Sequence, residues 1–342
     1  LILLGFFLIY LVTFKIFYPE INSLEKITID HANWNKDEDI HTLESYFYYF
    51  PHDLNYNKLD SVGQFINHKV QDKKREFTVL NKNDVIYYPS FAAKFVINLF
   101  NMQTEGLVDL SDHLDEIELA SNFLKEKANY ENNTACWRMN FLYHSYDVKI
   151  NWSSSYQQGL ILSALARAFT LSNDSSYLML GIKAVNFCGV SIVEEGFCNK
   201  IDESHYCYEE YPAIPSSSVL NGHIYCLFGL YDFYRATNYQ PALDFFNKGI
   251  NFLIDNIGYY DLGYWSQYDL TSGYAASYSY HKKTHIPQLK ALYQITGNEI
   301  FNEYTLKWEN YYNEPYFTIF KLKALIDAIK RRLFYKTVFT IG

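Results

Sequence analysis

A short run of phenols and carboxylates is the part of this sequence best suited to acid–base chemistry. Tyr208–Pro212 holds two tyrosines and two glutamates, and Pro215 and three serines follow before an apolar stretch begins at Val219. Carboxylates accept protons and phenols donate them, while the prolines and serines predict a rigid turn that ends at a serine-capped helix. Reactive groups are often mounted on such a turn. The run therefore predicts a catalytic or binding site.

Two later segments carry side chains of the same kinds. Gly263–Leu270 and Tyr274–Tyr280 read as the two strands of a hairpin, joined by a glycine-containing turn. Tyr268 and Tyr280 lie on its two arms, while Tyr211 comes from a different loop. This arrangement predicts phenols on opposite sides of one cleft.

Three segments in one order carry a resemblance to a known family: Tyr208–Gly222, Tyr264–Leu270 and Tyr280–Leu292. The chain from about 87 to 312 resembles the C-terminal catalytic domain of the D-glucuronyl C5-epimerases (heparosan-N-sulfate-glucuronate 5-epimerases). These isomerases convert D-glucuronate to L-iduronate in heparan-type polysaccharides. Longer members have a large β-rich region ahead of the helices, which is short here, so the chain resembles a shortened form.

Inverting C5 of a uronate needs a proton removed from one face of the ring and returned to the other, with the intermediate's charge neutralised. The resemblance implies that Tyr211, Tyr268 and Tyr280 handle protons beside Glu210. A tyrosine would serve as proton donor, or as base if cations lowered its pKa from about 10. The expected substrate-binding residues lie in or beside the matched segments: His281, His285, Lys282, Lys283, Asn221, Gln158 and Trp265.

No metal or organic cofactor is expected, because hydrogen-bond donors and cations can stabilise the intermediate. The i, i+4 spacing of His281 and His285 suits a metal, but no glutamate-bearing zinc-protease pattern accompanies it. One position departs from the family. Thr271 stands where well-known members have an arginine suited to the uronate carboxylate, and one extra residue separates the two histidines. Lys282, Lys283 or His285 is the expected replacement cation, with Arg138 and Arg167 as weaker candidates.

Helical periodicity dominates from Ser90 onward, and breaks at a spacing of about 20 residues separate the predicted helices. This rhythm predicts a mainly α fold: an α/α toroid, or incomplete (α/α) barrel, of helical hairpins with the inserted β-hairpin. The predicted regions are a signal anchor or transmembrane helix over 1–18, a polar region with a short hairpin over 19–86, the toroid domain over 87–312 and a basic amphipathic tail over 313–342.

The apolar N-terminal run lacks a small-residue cleavage site, which favours an uncleaved anchor over a cleaved signal peptide. A single-pass type II membrane protein is expected, facing a Golgi lumen or the outside of a bacterial membrane. The net charge of −9 argues against nucleic acid and requires a locally basic groove for a polyanionic glycan. The expected partners are a glucuronate-containing polysaccharide and a membrane; a homodimer stays open.

Two alternatives to an epimerase remain. A lyase on the same scaffold would remove the C5 proton and then expel the 4-O-linked sugar. A membrane-anchored glycan-binding pseudoenzyme would keep the cleft without the chemistry, which Thr271 and the acidic charge favour. A hydrolase is disfavoured, because Glu209 and Glu210 are neighbours in sequence and point apart.

Overall fold

The computed structural model describes residues 77–79, 89–104, 106, 108–143 and 146–326. Described residues up to 311 belong to one compact unit, and 312–326, which include a helix over 316–326, belong to a second. The predicted anchor over 1–18, most of the polar region over 19–86 and the end of the basic tail lie outside the described residues. Among the described helices, none combines the length and apolar character that crossing a membrane requires.

Helices make up most of the described chain, as the sequence predicts. Their bounds are α1 Pro89–Thr104, α2 Leu114–Glu126, α3 Ser155–Ser172, α4 Ser175–Phe187, α5 Leu220–Thr237, α6 Gln240–Asn256, α7 Ile286–Thr296 and α8 Glu299–Asn310. Short 3₁₀ turns lie at Leu110–His113, Ile192–Glu194 and Ile257–Tyr260. The mainly α class is confirmed, and the α/α toroid, or incomplete (α/α) barrel, stays a prediction.

Short strands pair only two by two among the described residues. The bounds are β1 Phe77–Val79, β2 Asn129–Glu131, β3 Thr134–Cys136, β4 Arg138–Met139, β5 Phe141–Tyr143, β6 Trp152–Ser153, β7 Cys198–Lys200 and β8 Tyr206–Tyr208. The antiparallel pairs are β1–β5, β2–β3, β4–β6 and β7–β8. Strand β1 falls in the predicted N-terminal hairpin, but its described partner β5 comes from much later in the chain.

The hairpin predicted over 263–280 forms only as a short contact without regular strands. One antiparallel bridge, Gln267–Ala275, joins its two arms, Ala276 N donates to the Ser266 carbonyl oxygen at 2.8 Å, and Tyr278–Tyr280 is a helical turn instead of a strand end. Ser277 explains the difference, since its hydroxyl accepts a hydrogen bond from Tyr280 N at 3.2 Å and starts the helix there. The helix continues through a π-helical turn at His281–His285 into α7. A π turn holds one extra residue, so it accommodates the insertion noted in the sequence.

Helices α3 and α5 cross at the centre of the unit with their backbones in contact. Both are buried on nearly all sides, which fits their apolar sequences. Two glycines permit this approach: a Cβ at Gly159 would lie 2.1 Å from the Tyr225 carbonyl oxygen, and one at Gly229 would lie 2.1 Å from the Gly159 carbonyl oxygen. Both helices end at asparagines in the left-handed conformation, Asn173 and Asn238. The crossing fixes the N-terminal ends of both helices, where the candidate site lies.

Candidate active site

The turn of the Tyr208–Pro212 run is held by a buried carboxylate. Strand β8 leads into Glu209, whose carboxylate accepts hydrogen bonds from the backbone nitrogens of Ser217 at 3.1 Å and Ser218 at 2.8 Å. The Ser217 hydroxyl donates at 2.8 Å, and the Ser216 hydroxyl donates as well. The serines predicted to cap α5 therefore bind Glu209 instead, and the cap residue is Val219, which makes no side-chain cap bond. Glu209 fixes the loop from which its neighbour projects.

Glu210 lies at the bottom of the site with 7% of its surface exposed. Its carboxylate accepts a hydrogen bond from Asn221 Nδ2 at 3.1 Å and another from the Tyr211 hydroxyl. Gly222 lies against it, so that a Cβ there would come within 2.4 Å of Glu210 Cβ. Burial raises the pKa of Glu210 to about 7, although its hydrogen bonds and the charge of Lys94 oppose the rise. This carboxyl can both take and release a proton near neutral pH.

Tyr211 is held in place by a stack of aromatic rings. The Tyr146 ring lies 4.6 Å away at 11°, and the Tyr143 and Trp152 rings lie 4.6 and 5.7 Å away. The Tyr146 hydroxyl donates to Asp269 Oδ2 at 2.9 Å, which ties this stack to the loop that follows Tyr268. The packing fixes the Tyr211 ring while its hydroxyl bonds Glu210.

The three predicted tyrosines do come together, in one chain of hydrogen bonds. The Tyr268 hydroxyl is hydrogen-bonded to that of Tyr211, and the Tyr280 hydroxyl to that of Tyr268. The Tyr268 and Tyr280 rings meet edge to face at 5.1 Å and 75°. The backbone holds Tyr268 against the helix that carries Asn221, because Leu220 N donates to its carbonyl oxygen at 3.1 Å. Tyr280 is the last residue of this row of hydrogen-bonded phenols and lies at the surface, with 40% of its area exposed.

All three phenols remain protonated at neutral pH. Burial is the main cause that raises the pKa of Tyr211, Tyr268 and Tyr280, and the charge of Glu210 raises each further. A tyrosine base, which would need a lowered pKa, is therefore disfavoured in this state. The cluster combines one carboxyl that titrates near neutrality with three proton donors.

The predicted substrate-binding histidines and tryptophan lie beneath this cluster. Trp265, His281 and His285 each have 0% of their surface exposed, and the Trp265 ring stacks on that of His281 at 3.8 Å. The Ser266 hydroxyl bonds His281 Nδ1 at 2.7 Å and His285 Nδ1 at 2.9 Å. Burial lowers the pKa of both histidines to about 3, so neither supplies a positive charge at neutral pH. In this structure both histidines support the π turn behind Tyr280.

The remaining predicted binding residues divide between the site and its surroundings. Asn221 is in the site beside Glu210, as described above. Gln158 is buried, and its amide nitrogen donates at 2.9 Å to the carbonyl oxygens of both Ala135 and Ala184, a structural role. Lys282 is exposed and bonds the Tyr278 hydroxyl at 3.4 Å. Lys283 is half-buried on the same turn.

The position of the family arginine carries no charge. Thr271 is exposed, and its hydroxyl donates to the Ser216 carbonyl oxygen at 2.9 Å. The two weaker candidates are engaged elsewhere: Arg167 pairs with buried Asp232 at 2.7 Å, and Arg138 pairs with Glu131 at 3.0 Å. In the part of the chain that the structure describes, no group of three or more His, Cys, Asp or Glu side chains can hold a metal ion. The five cysteines, all described, are buried free thiols.

Some residues of the site carry no sequence signal. Tyr143 and Tyr146 reach Tyr211 from a distant segment, and nothing in their spacing marks this contact. Lys94 on α1 reaches the site in the same way, through its charge on Glu210. Asp269 lies in a matched segment, but its role as acceptor for Tyr146 becomes visible only in the structure.

Comparisons with known proteins give a family and two relatives. A family model described as "D-glucuronyl C5-epimerase C-terminus" matches residues 131–310, which include Glu210 and the three tyrosines. An uncharacterized protein of Methanocaldococcus jannaschii is 32% identical over 176 residues, which cover 50% of this chain and 56% of that protein. A D-glucuronyl C5-epimerase of Caenorhabditis elegans is 30% identical over 178 residues, which cover 47% of this chain and 29% of that protein. Less than two thirds of either relative is covered.

The family match spans more than half of the 342 residues and contains the buried carboxyl, the phenol chain and the helices that hold them. This chain belongs to the D-glucuronyl C5-epimerase C-terminal domain family.

Proposed function

We propose that this protein inverts C5 of D-glucuronate to L-iduronate units within a heparan- or heparosan-type polysaccharide. The observation that carries the proposal is the position of Glu210, a buried carboxyl with a pKa of about 7 at one end of the Tyr211–Tyr268–Tyr280 hydrogen-bond chain. The similarity to a D-glucuronyl C5-epimerase of C. elegans supports the reaction class. In the same proposal, the helix pairs around α3 and α5 form part of an incomplete α/α toroid whose cleft receives the glycan.

The reaction requires a base and an acid on opposite faces of one sugar ring. Glu210 takes the C5 proton, and the electron pair of the broken C–H bond passes into the substrate carboxylate as an enediolate. A phenol of Tyr268 or Tyr280 then gives its proton to the other face of C5, and the electron pair returns to form the new C–H bond. The phenolate recovers a proton from Glu210 along the hydrogen-bond chain, which restores the starting state.

The proposal assigns different roles to the three tyrosines. Tyr211, stacked among aromatic rings and bonded to Glu210, orients the base and passes protons. Tyr280, at the exposed end of the chain, is the donor nearest to a substrate in the cleft. Tyr268 links the two and is held by its ring contact with Tyr280.

The test is deuterium exchange at C5. The full chain is incubated in D2O with heparosan and with N-sulfated heparosan, and proton NMR follows the C5 proton of glucuronate and the appearance of iduronate. We expect loss of the C5 proton signal with new iduronate signals, abolished by Glu210→Gln and retained in Glu203→Gln, a change at an exposed glutamate.

The same samples separate the alternatives. A lyase would yield chain cleavage and an unsaturated uronate that absorbs in the ultraviolet. A glycan-binding protein would retain the polysaccharide without exchange. Either result, with a folded protein, would contradict the proposed epimerase.

A further inference from the structure

The proposed site must compensate an excess of negative charge. A uronate that enters it brings a carboxylate close to the carboxylate of Glu210, and proton removal adds further negative charge to the substrate. A cation that stays charged in a partly buried position is therefore needed. The family position for such a cation is occupied here by Thr271, which has no charge.

Apart from Lys283, which is half-buried on the π turn, the cations proposed from the sequence do not meet this need. His281 and His285 are buried, and their pKa of about 3 leaves them neutral. Arg167 lies in a buried pair with Asp232, and Arg138 is engaged by Glu131. Lys282 is exposed and turned toward the Tyr278 hydroxyl.

Lys94 lies where the cation is needed. It projects from α1, is half-buried, and holds its Nζ 5.3 Å from the ring centre of Tyr156 and 5.4 Å from that of Phe91. Tyr156 is in the first turn of α3, and its ring packs edge to face on that of Tyr225 at 5.1 Å. Tyr225 is on α5, one turn beyond Asn221. The ammonium thus lies beside the helix ends that carry the site.

The electrostatic neighbours of Glu210 and Tyr280 include the same residues. The Lys94 charge lowers the pKa of Glu210, and Tyr156 and Glu210 each contribute to the raised pKa of Tyr280. Lys94, Tyr156, Tyr280 and Glu210 therefore border one region. Ring faces attract an ammonium, so Phe91 and Tyr156 hold the Lys94 side chain beside this region.

We propose that Lys94 pairs with the carboxylate of the substrate uronate and stabilises the enediolate formed from it. The inference rests on the proposed function, because it assigns the carboxylate-binding residue of the same site. In this proposal a lysine on helix α1 takes over the role of the family arginine. The lysine is held by aromatic rings, whereas the arginine position, Thr271 here, lies on a loop.

The experiment compares Lys94→Gln and Lys94→Arg with a matched control, Lys248→Gln. Lys248 is also half-buried and holds its Nζ 4.5 Å from a tyrosine ring, that of Tyr206. For each full-length variant, calorimetry measures binding of a glucuronate-containing oligosaccharide and of its carboxyl-reduced form. The exchange assay gives kcat and KM, and thermal melting reports the fold.

We expect Lys94→Gln to weaken binding of the carboxylate form and lower kcat/KM by about 10- to 100-fold, as for loss of one hydrogen bond to a charged group. Binding of the carboxyl-reduced form should not change. Lys94→Arg, which keeps the charge, should retain the preference for the carboxylate, and Lys248→Gln should behave as the unmodified protein.

Two results would overturn the inference. One is that Lys94→Gln keeps an unchanged preference for the carboxylate form. The other is that Lys94→Gln binds both ligands more weakly by the same factor, which indicates a structural role. If the unmodified protein shows no C5 exchange, the proposed function fails, and the binding comparison alone still decides on Lys94. A protein without any preference for the carboxylate form would then contradict the assignment.

Discussion

Replacing Glu210 by glutamine should abolish exchange and, at alkaline pH, stabilise the fold. The pKa of this carboxyl is raised from 4.5 to about 7, first of all by burial. The folded state therefore holds a proton that the unfolded chain releases between pH 4.5 and about 7. Because the folded state binds more protons in this window, the unfolding free energy falls as the pH rises through it. Above about pH 7 the ionised Glu210 lowers the unfolding free energy by its full amount, and below about pH 4.5 it does not lower it.

The magnitude follows from the difference in pKa. About 2.5 pKa units at about 1.4 kcal/mol each give about 3 kcal/mol at pH 8. Glutamine matches the protonated carboxyl, since its oxygen accepts from Asn221 Nδ2 and its nitrogen donates to the Tyr211 hydroxyl. Glu210→Gln should therefore equal the unmodified protein in stability near pH 4.5 and exceed it by about 3 kcal/mol at pH 8.

The assay is urea unfolding of the full chain, followed by tryptophan fluorescence at several pH values between 4.5 and 8.5. Glu203→Gln, a change at an exposed glutamate, is the matched control and should follow the unmodified protein at every pH. Unfolding is two-state if the transitions followed by fluorescence and by circular dichroism coincide. A gap between Glu210→Gln and the unmodified protein that does not widen with pH would refute the reasoning, and Glu210 would lose the raised pKa on which its role as base depends.

Three further outcomes follow from the same contacts. The exchange rate should rise with pH through about 7, because Glu210 must be ionised to accept a proton, and a rate that is flat from pH 5 to 8 would contradict this. Gly229→Ala should lower the unfolding free energy by about 1–3 kcal/mol or more in denaturant, since its Cβ would lie 2.1 Å from the Gly159 carbonyl oxygen. Arg167→Met should cost about 3–5 kcal/mol by leaving Asp232 buried without its partner, and Arg167→Met with Asp232→Leu should recover most of it in the same assay; no recovery would show that packing, not charge, dominates.

The parts of the fold that the sequence predicts are those set by local signals. Asn173, Asn238 and Gly297 end helices in the left-handed conformation, and residues of these types mark helix ends in a sequence. Helix α8 begins at Glu299, where the Asn298 side chain accepts a hydrogen bond from Ile300 N at 3.1 Å, a local capping signal. The resemblance of the three matched segments to the family also grouped Glu210 with the three tyrosines.

Contacts between distant segments were not predictable. The serines before α5 fit a capping pattern. In the structure they donate hydrogen bonds to the buried carboxylate of Glu209 instead, because a buried charge needs several hydrogen bonds. Alternating Tyr and Ser residues before Tyr280 resemble a strand, yet Ser277 starts a helix there. Tyr146 contacts Tyr211 only because packing brings two loops together.

The charge balance of the site explains why one lysine matters in a protein of net charge −9. Salt screens exposed charges beyond about 8–10 Å, so distant acidic residues affect the substrate less than the groups that line the site. A bound uronate carboxylate would raise the pKa of Glu210 above about 7 by like-charge repulsion and keep the base protonated. The Lys94 charge already lowers this pKa, and a pair between Lys94 and the substrate carboxylate would limit the further rise. Under the proposal, Lys94, held on two aromatic rings, would both bind the substrate and keep the pKa of Glu210 near neutrality, in a chain with Thr271 in the arginine position.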